Sequence, residues 1–267
     1  MEEAEKEGAD EEDSRPIIIH NGTSRIRAGF ADDEAPRGFF PTVVGHPRMM
    51  GMAWSHMAHG NEQLNMGRGV LVGHEAISKR GLLSLVHNII QTGIIHKWDE
   101  MEDLWHHTFY NELRVAPEDH PVMLTEVPMN PIANRERMLR LIFDFGVPAV
   151  SVQVQDVLAL LGATGQRTGC VVHSGETQTR VVPIHEGSVI PHAITHCQVT
   201  GRDLTDFLQQ LLVKRGYAEQ LEVTAMKETL CAVALDFEEE MQLQAAIEKT
   251  YQRADGGLVT IEHERFR

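Results

Sequence analysis

Two stretches of the chain carry residue types that can grip a small anion. One is IIHNGTSRIR, beginning at Ile18, and the other is VVHSGETQTR, beginning at Val171. Each reads as strand, imidazole, small polar residue, glycine, polar turn and returning strand, so the pair is an internal duplication. Gly22 and Gly175 let backbone N–H groups converge without a Cβ in the way, and the hydroxyls of Thr23, Ser24 and Ser174 add donors beside them. Arg27 and Arg180 hold equivalent places in the two repeats and can supply positive charge. A single Asn-Gly turn is usually only a turn. Two matched hairpins, one per half, can face each other across a cleft and clamp a polyphosphate between them.

The elements that must position these hairpins alternate. Apolar residues recur at helical spacing over 100–113, 133–146, 156–165, 203–215 and 223–244, several meeting Gly or Pro at their ends. Strand-like runs fall at 122–125, 149–154 and 170–173, as in an α/β fold. The stretch 49–69 is rich in Met and Gly, has no clear period, and is expected to be a long loop. Residues 1–13 hold eight acids and one lysine, so the expectation there is an acidic, disordered tail ending near residue 15.

Composition narrows the function classes. At 267 residues and 42% hydrophobic the chain can bury a sizeable core. Its 39 acids against 24 Lys plus Arg give a formal charge of −15, which argues against nucleic acid or an anionic membrane and for basic protein partners. Cys170, Cys197 and Cys231 form no CxxC pattern, so neither a disulfide framework nor a zinc knuckle is indicated, and a reducing compartment is expected. No apolar run approaches the roughly 20 residues that span a bilayer.

The stretch WHHTFYNELRVAPE at 105–118 resembles actin closely. AGFA at 28–31, SKRG at 78–81, LTE at 124–126, PHAI at 191–194, GRDLTD at 201–206, ALDFE at 234–238 and ERFR at 264–267 resemble it in the same order. The resemblance covers about 16–267. It implies the actin, sugar-kinase and Hsp70-like ATPase fold, an α/β architecture with ribonuclease H-like lobes, cut short at its C-terminus relative to the family. The expected organisation is a first lobe at 16–162, with a small subdomain at about 42–89, and an incomplete second lobe at 163–267. Surfaces that the family's final third would cover are expected to be exposed as apolar patches.

The resemblance also assigns roles. Gln155 matches the glutamine that orients the attacking water. Asn21, Gly22, Thr23 and Ser24 match the first phosphate hairpin, with Arg27 in place of its lysine, and Ser174, Gly175 and Glu176 match the second. Lys227 and Glu228 match the pair beside the adenosine. The family's metal-organising aspartates, however, are His20 and His173 here. Mg²⁺ and Ca²⁺ prefer anionic oxygen, and a neutral imidazole offers one nitrogen and no charge. Losing two charge-assisted acceptors at about 1.5–3 kcal/mol each implies roughly two to four decades in metal affinity. Either divalent ion is therefore not expected to be held in the family's way, and ATP or ADP binding is expected to be weakened.

Two other readings of the histidines stay open at this point. Protonated near pH ~6.5 they can bind phosphate directly. Joined by Glu176 or Asp156 they can hold a transition metal. Asp156 itself, beside Gln155, is expected to cap the helix that follows. Three functions follow: a non-catalytic actin-like protein of cytoskeleton, cytoplasm or nucleus, an actin-type ATP-binding filament protein with altered metal needs, or a truncated product without independent function. The partners expected are proteins, with actin and actin-binding proteins as the candidates the resemblance offers.

Overall fold

The computed structural model describes residues 14–48, 69–217, 222–242, 248–253 and 256–266. The expectations for the acidic tail, and for the Met- and Gly-rich stretch up to residue 68, lie outside these residues.

The first hairpin is the spine of the main sheet. Strand β1 (Ile17–Asn21) pairs antiparallel with β2 (Arg25–Phe30), setting His20 opposite Arg27, and β2 pairs antiparallel with β3 (Gly38–Pro41). Alternation in β1 sends Ile17, Ile19 and Asn21 inward. A small sheet follows: β4 (Val44–Pro47) lies between β5 (Leu71–Val72) and β6 (Leu83–Val86), with helix α1 (Gly73–Ser78) beside it. Its core is Val43, Leu71, Ala76 and Leu83, inside the expected subdomain. A short hairpin, β7 (Ile90–Gln91) with β8 (Ile94–Ile95), leads into helix α2 (Trp98–His107). The helix expected over 100–113 thus begins earlier. It loosens into a π-helical turn over Thr108–Leu113 and stops where Arg114 takes a left-handed backbone.

Strand β9 (Val122–Glu126) then returns beside β1, helix α3 (Ile132–Asp144) crosses over, and β10 (Val150–Val154) pairs with β9. Both pairings are parallel, giving a mixed five-stranded sheet in the order β10-β9-β1-β2-β3. Around it Ile17, Ile19, Trp105, Phe109, Leu124 and Ile142 are fully or nearly fully buried. Helix α4 (Gln155–Thr164) leads to the second hairpin, β11 (Gly169–Ser174) and β12 (Thr179–His185), continued by β13 (Ser188–Val189) and β14 (Thr195–Cys197).

Helix α5 (Gly201–Lys214) starts at a capping box: Asp203 N–H donates to the Thr200 hydroxyl, and Thr200 N–H donates back to the Asp203 carboxylate. Helix α6 (Val223–Leu230) ends sooner than periodicity predicts. The single helix expected over 223–244 is broken at 231–236 and resumes as α7 (Phe237–Gln242). The cause is tertiary: Ala232 N–H donates to the Arg265 carbonyl and Arg265 Nε donates to the Leu230 carbonyl, holding the intervening chain extended. Strands β15 (Lys249–Gln252) and β16 (Leu258–Ile261) close the described chain as an antiparallel pair.

The molecule divides into two compact units. The first runs through His173 and includes Arg180–His196; the second comprises Ser174–Thr179 and Cys197–Arg267. The division therefore falls within the second hairpin, at Ser174–Thr179, whereas the sequence reading drew a boundary at 162. No described helix is long and apolar enough to cross a membrane.

Candidate functional site

His20 sits at the end of β1, next to Ile19, which pairs with Leu124 of β9. That register brings the Thr125 hydroxyl to 2.9 Å from His20 Nδ1. Burial pushes the imidazole pKa from its ordinary 6.5 down to about 4; Arg27, His173 and Arg180 push the same way, and Asp156 offsets them only in part. His173, at the corresponding place on β11, is also lowered, first by burial and then by Arg180, with Asp156 again opposing. His20 is therefore neutral at neutral pH, and direct phosphate binding by its protonated form would first have to charge it.

Arg180 acts on both imidazoles. Alternation in β12 turns it inward with Val182 and Ile184, and it is 2% exposed. Its counter-charge is Asp156, fully buried in the first turn of α4, whose Oδ2 accepts from Arg180 Nη2 at 2.8 Å and Nε at 3.3 Å. Asp156 makes no capping bond to its own helix, so the cap expected of it is replaced by an internal ion pair. Its other oxygen, Oδ1, is buried without a hydrogen-bond partner among the described residues and lies 3.7 Å from His173 Nδ1. Arg180 is likewise not a free charge for a ligand. The inward position of an arginine in an otherwise apolar alternation was the one signal in the sequence that a buried carboxylate had to meet it.

The first turn is built around its own backbone. A Cβ on Gly22 would lie 2.4 Å from the Arg25 carbonyl oxygen, so glycine is demanded by the closeness of the hairpin itself. The Gly22 carbonyl accepts from the Thr42 hydroxyl at 2.8 Å. Asn21 faces the core: it is 8% exposed, and its Oδ1 accepts from Trp105 Nε1 at 3.0 Å. Ser24 is exposed and its carbonyl accepts from Thr42 N–H; Thr23 is partly buried. Arg27 is exposed, its guanidinium 5.1 Å from the centre of the Phe39 ring. Gln155 opens α4, half-buried, at the strand-to-helix junction where it was expected.

The second turn forms its own cluster. Gly175 N–H donates to the Gln178 carbonyl, and the Ser174 and Thr179 hydroxyls are 3.2 Å apart. The carbonyls of Gly175 and Glu176 accept from the first amides of α5, at Gly201 and Arg202, each at 2.9 Å. Lys227 Nζ donates to the Gly201 carbonyl, which ties α6 to the same turn, and the Glu176 carboxylate is 3.8 Å from Arg202 Nε. Glu228 is exposed.

These residues do not fit a hard divalent ion. His20 and His173 are neutral imidazoles at neutral pH, the Asp156 carboxylate beside them is bound by Arg180, and Arg27 and Arg180 add positive potential. Nor is a transition-metal centre assembled: among the described residues no group of three His, Cys, Asp or Glu side chains is placed to hold a metal ion.

The mixed sheet and, among the described residues, seven helices are consistent with an actin-like ATPase fold. The sequence profile of the family described as Actin matches residues 11–267, nearly the whole chain. The chain belongs to the actin family.

Proposed function

We propose that this actin-family chain acts by binding and not by turnover: a structural or interaction protein of the cytoskeleton, cytoplasm or nucleus whose nucleotide cleft no longer organises a divalent ion. The observation that carries the reading is the exchange of charge around His20. Where the family places acids for a metal shell, this chain has two depressed imidazoles and a closed Arg180–Asp156 pair. Ordinary metal-assisted stabilisation of a transferring phosphoryl group then has no first support. ATP or ADP, held by the hairpin turns alone, would bind weakly and without Mg²⁺ or Ca²⁺ in the family's position. The surplus of acids favours basic protein partners, and actin and actin-binding proteins remain candidates through family membership.

A thermal-shift titration with millimolar ATP, with and without Mg²⁺, tests this. The expected result is no Mg²⁺-dependent rise in Tm and no ATP hydrolysis. A large Mg²⁺-dependent rise overturns the proposal in favour of an ATP-binding filament protein with altered metal needs. The double substitution His20→Asp with His173→Asp should create a Mg²⁺-dependent shift of several degrees at the same nucleotide concentration, about what 1–2 kcal/mol of linked binding supplies. A flat response from that variant means the two imidazoles are not the controlling defect.

A further inference from the structure

Several aromatic rings of the first unit lie under arginines of the same chain. Arg15 and Arg37 stand over Phe30, their guanidiniums 4.3 and 4.6 Å from the ring centre, Arg25 over Phe39 at 4.9 Å and Arg137 over Trp98 at 4.8 Å. A planar, weakly hydrated guanidinium suits the negative face of a ring. Tyr110 is different. It is 44% exposed in the π-helical turn, much as Phe39 is at 43%, yet among the described residues no cation lies over its ring. Arg114, one turn on, donates instead from Nε to the Asn111 carbonyl at 3.4 Å.

What stands near this ring is an acid. Glu118, exposed in the 3-10 turn Pro117–Asp119, has no hydrogen bond or ion pair through its carboxylate among the described residues. Its charge reaches the phenol: burial first, and then Glu118, push the Tyr110 pKa up. The glycine turn after α3 packs against the root of the acid, since a Cβ on Gly146 would lie 3.7 Å from Glu118 Cβ. The ring is braced as well, with the His106 ring 4.5 Å from it and the Phe145 ring 6.5 Å from that of His106. A guanidinium stacked here can use its plane on the phenol and its N–H fork on the carboxylate together. An ammonium is a strongly hydrated point charge and gains less from the ring.

We infer that the Tyr110 ring and the Glu118 carboxylate form a subsite for an arginine side chain of a partner protein. The inference rests on the binding role proposed above, and its test contains no nucleotide, so it can fail while that reading stands. Three dye-labelled glycine-serine peptides, carrying spaced arginines, lysines or neutral citrullines, are titrated with the full chain and followed by anisotropy. The arginine peptide should bind about threefold or more tighter than the lysine peptide, and the citrulline peptide weakest. Tyr110→Leu should abolish the preference for arginine over lysine while the general attraction of an acidic chain for both remains, and Tyr110→Phe should keep the preference. Glu118→Gln should weaken the arginine peptide about three- to tenfold, and Glu136→Gln, the same loss of charge on the exposed side of α3, by less than about twofold. Equal affinity for arginine and lysine peptides in the parent chain overturns the proposal. So does a preference that survives Tyr110→Leu, or an effect of Glu118→Gln no larger than that of Glu136→Gln. If Tyr110→Leu does not fold, the Tyr110→Phe and Glu118→Gln results decide: loss of the preference in Tyr110→Phe, which keeps the ring, also overturns it.

Discussion

The ion pair between Asp156 and Arg180 can be tested by breaking it from one side. Arg180 is 2% exposed and Asp156 fully buried, so Asp156→Ala leaves a guanidinium in the interior with no counter-charge. Removing one partner of such a pair costs about 3–5 kcal/mol, most of it the desolvation of the charge left behind. For a domain of this size about 2–4 °C accompanies each kcal/mol, so the unfolding transition of the first unit should fall by about 6–20 °C in calorimetry at pH 7. The loss should be nearly the same at low and high salt, because ions do not screen a dry pair. Replacing both partners, Asp156→Leu with Arg180→Met, removes the charge and the need for it together. That variant should return to within about 1–2 kcal/mol of the parent or exceed it. A drop of less than about 2 °C for Asp156→Ala, or a double variant no better than the single, would refute the reasoning: Arg180 would then reach water when its partner is gone.

Two further outcomes follow from the same site. Because the folded His20 pKa lies near 4 and the unfolded one near 6.5, the native state is fully favoured above pH 6.5. Stability is lost as pH falls from 6.5 towards 4, where the unfolded chain takes a proton that the native chain refuses; the loss is about 3 kcal/mol for this group alone. Between pH 7 and pH 5 about 2 kcal/mol of this should appear in urea titrations, and His20→Asn should shrink the difference; His173, lowered in the same direction, supplies part of what remains. An unchanged difference in His20→Asn would count against a buried neutral imidazole. At the first turn, Gly22→Ala sets a methyl 2.4 Å from the Arg25 carbonyl oxygen and should cost about 1–3 kcal/mol by denaturant titration, independent of any nucleotide. If the loss appears only when ATP is present, the glycine serves the ligand and not the hairpin.

Much of the architecture was legible before any coordinates. β-branched runs ending in Asn-Gly or Ser-Gly define hairpins by local sterics, and the helical spacing over 133–146, 156–165 and 203–215 lies within a few residues of α3, α4 and α5. Periodicity failed where distant chain competes for local bonds. Nothing within 223–244 announces that Arg265 takes the amide and carbonyl on which a continuous helix would depend.

The sequence by itself determined the family, the duplicated turns and the imidazoles at positions 20 and 173, because each depends on residue identity at positions that local patterns place. Only the tertiary structure decided what those substitutions mean. Whether His20 is charged depends on burial and on the arginines of two other strands, and whether Arg180 is offered to a ligand or consumed by the protein depends on Asp156, 24 residues away in sequence and 2.8 Å away in space. Charge–charge energies follow distance and desolvation, and neither can be read along the chain.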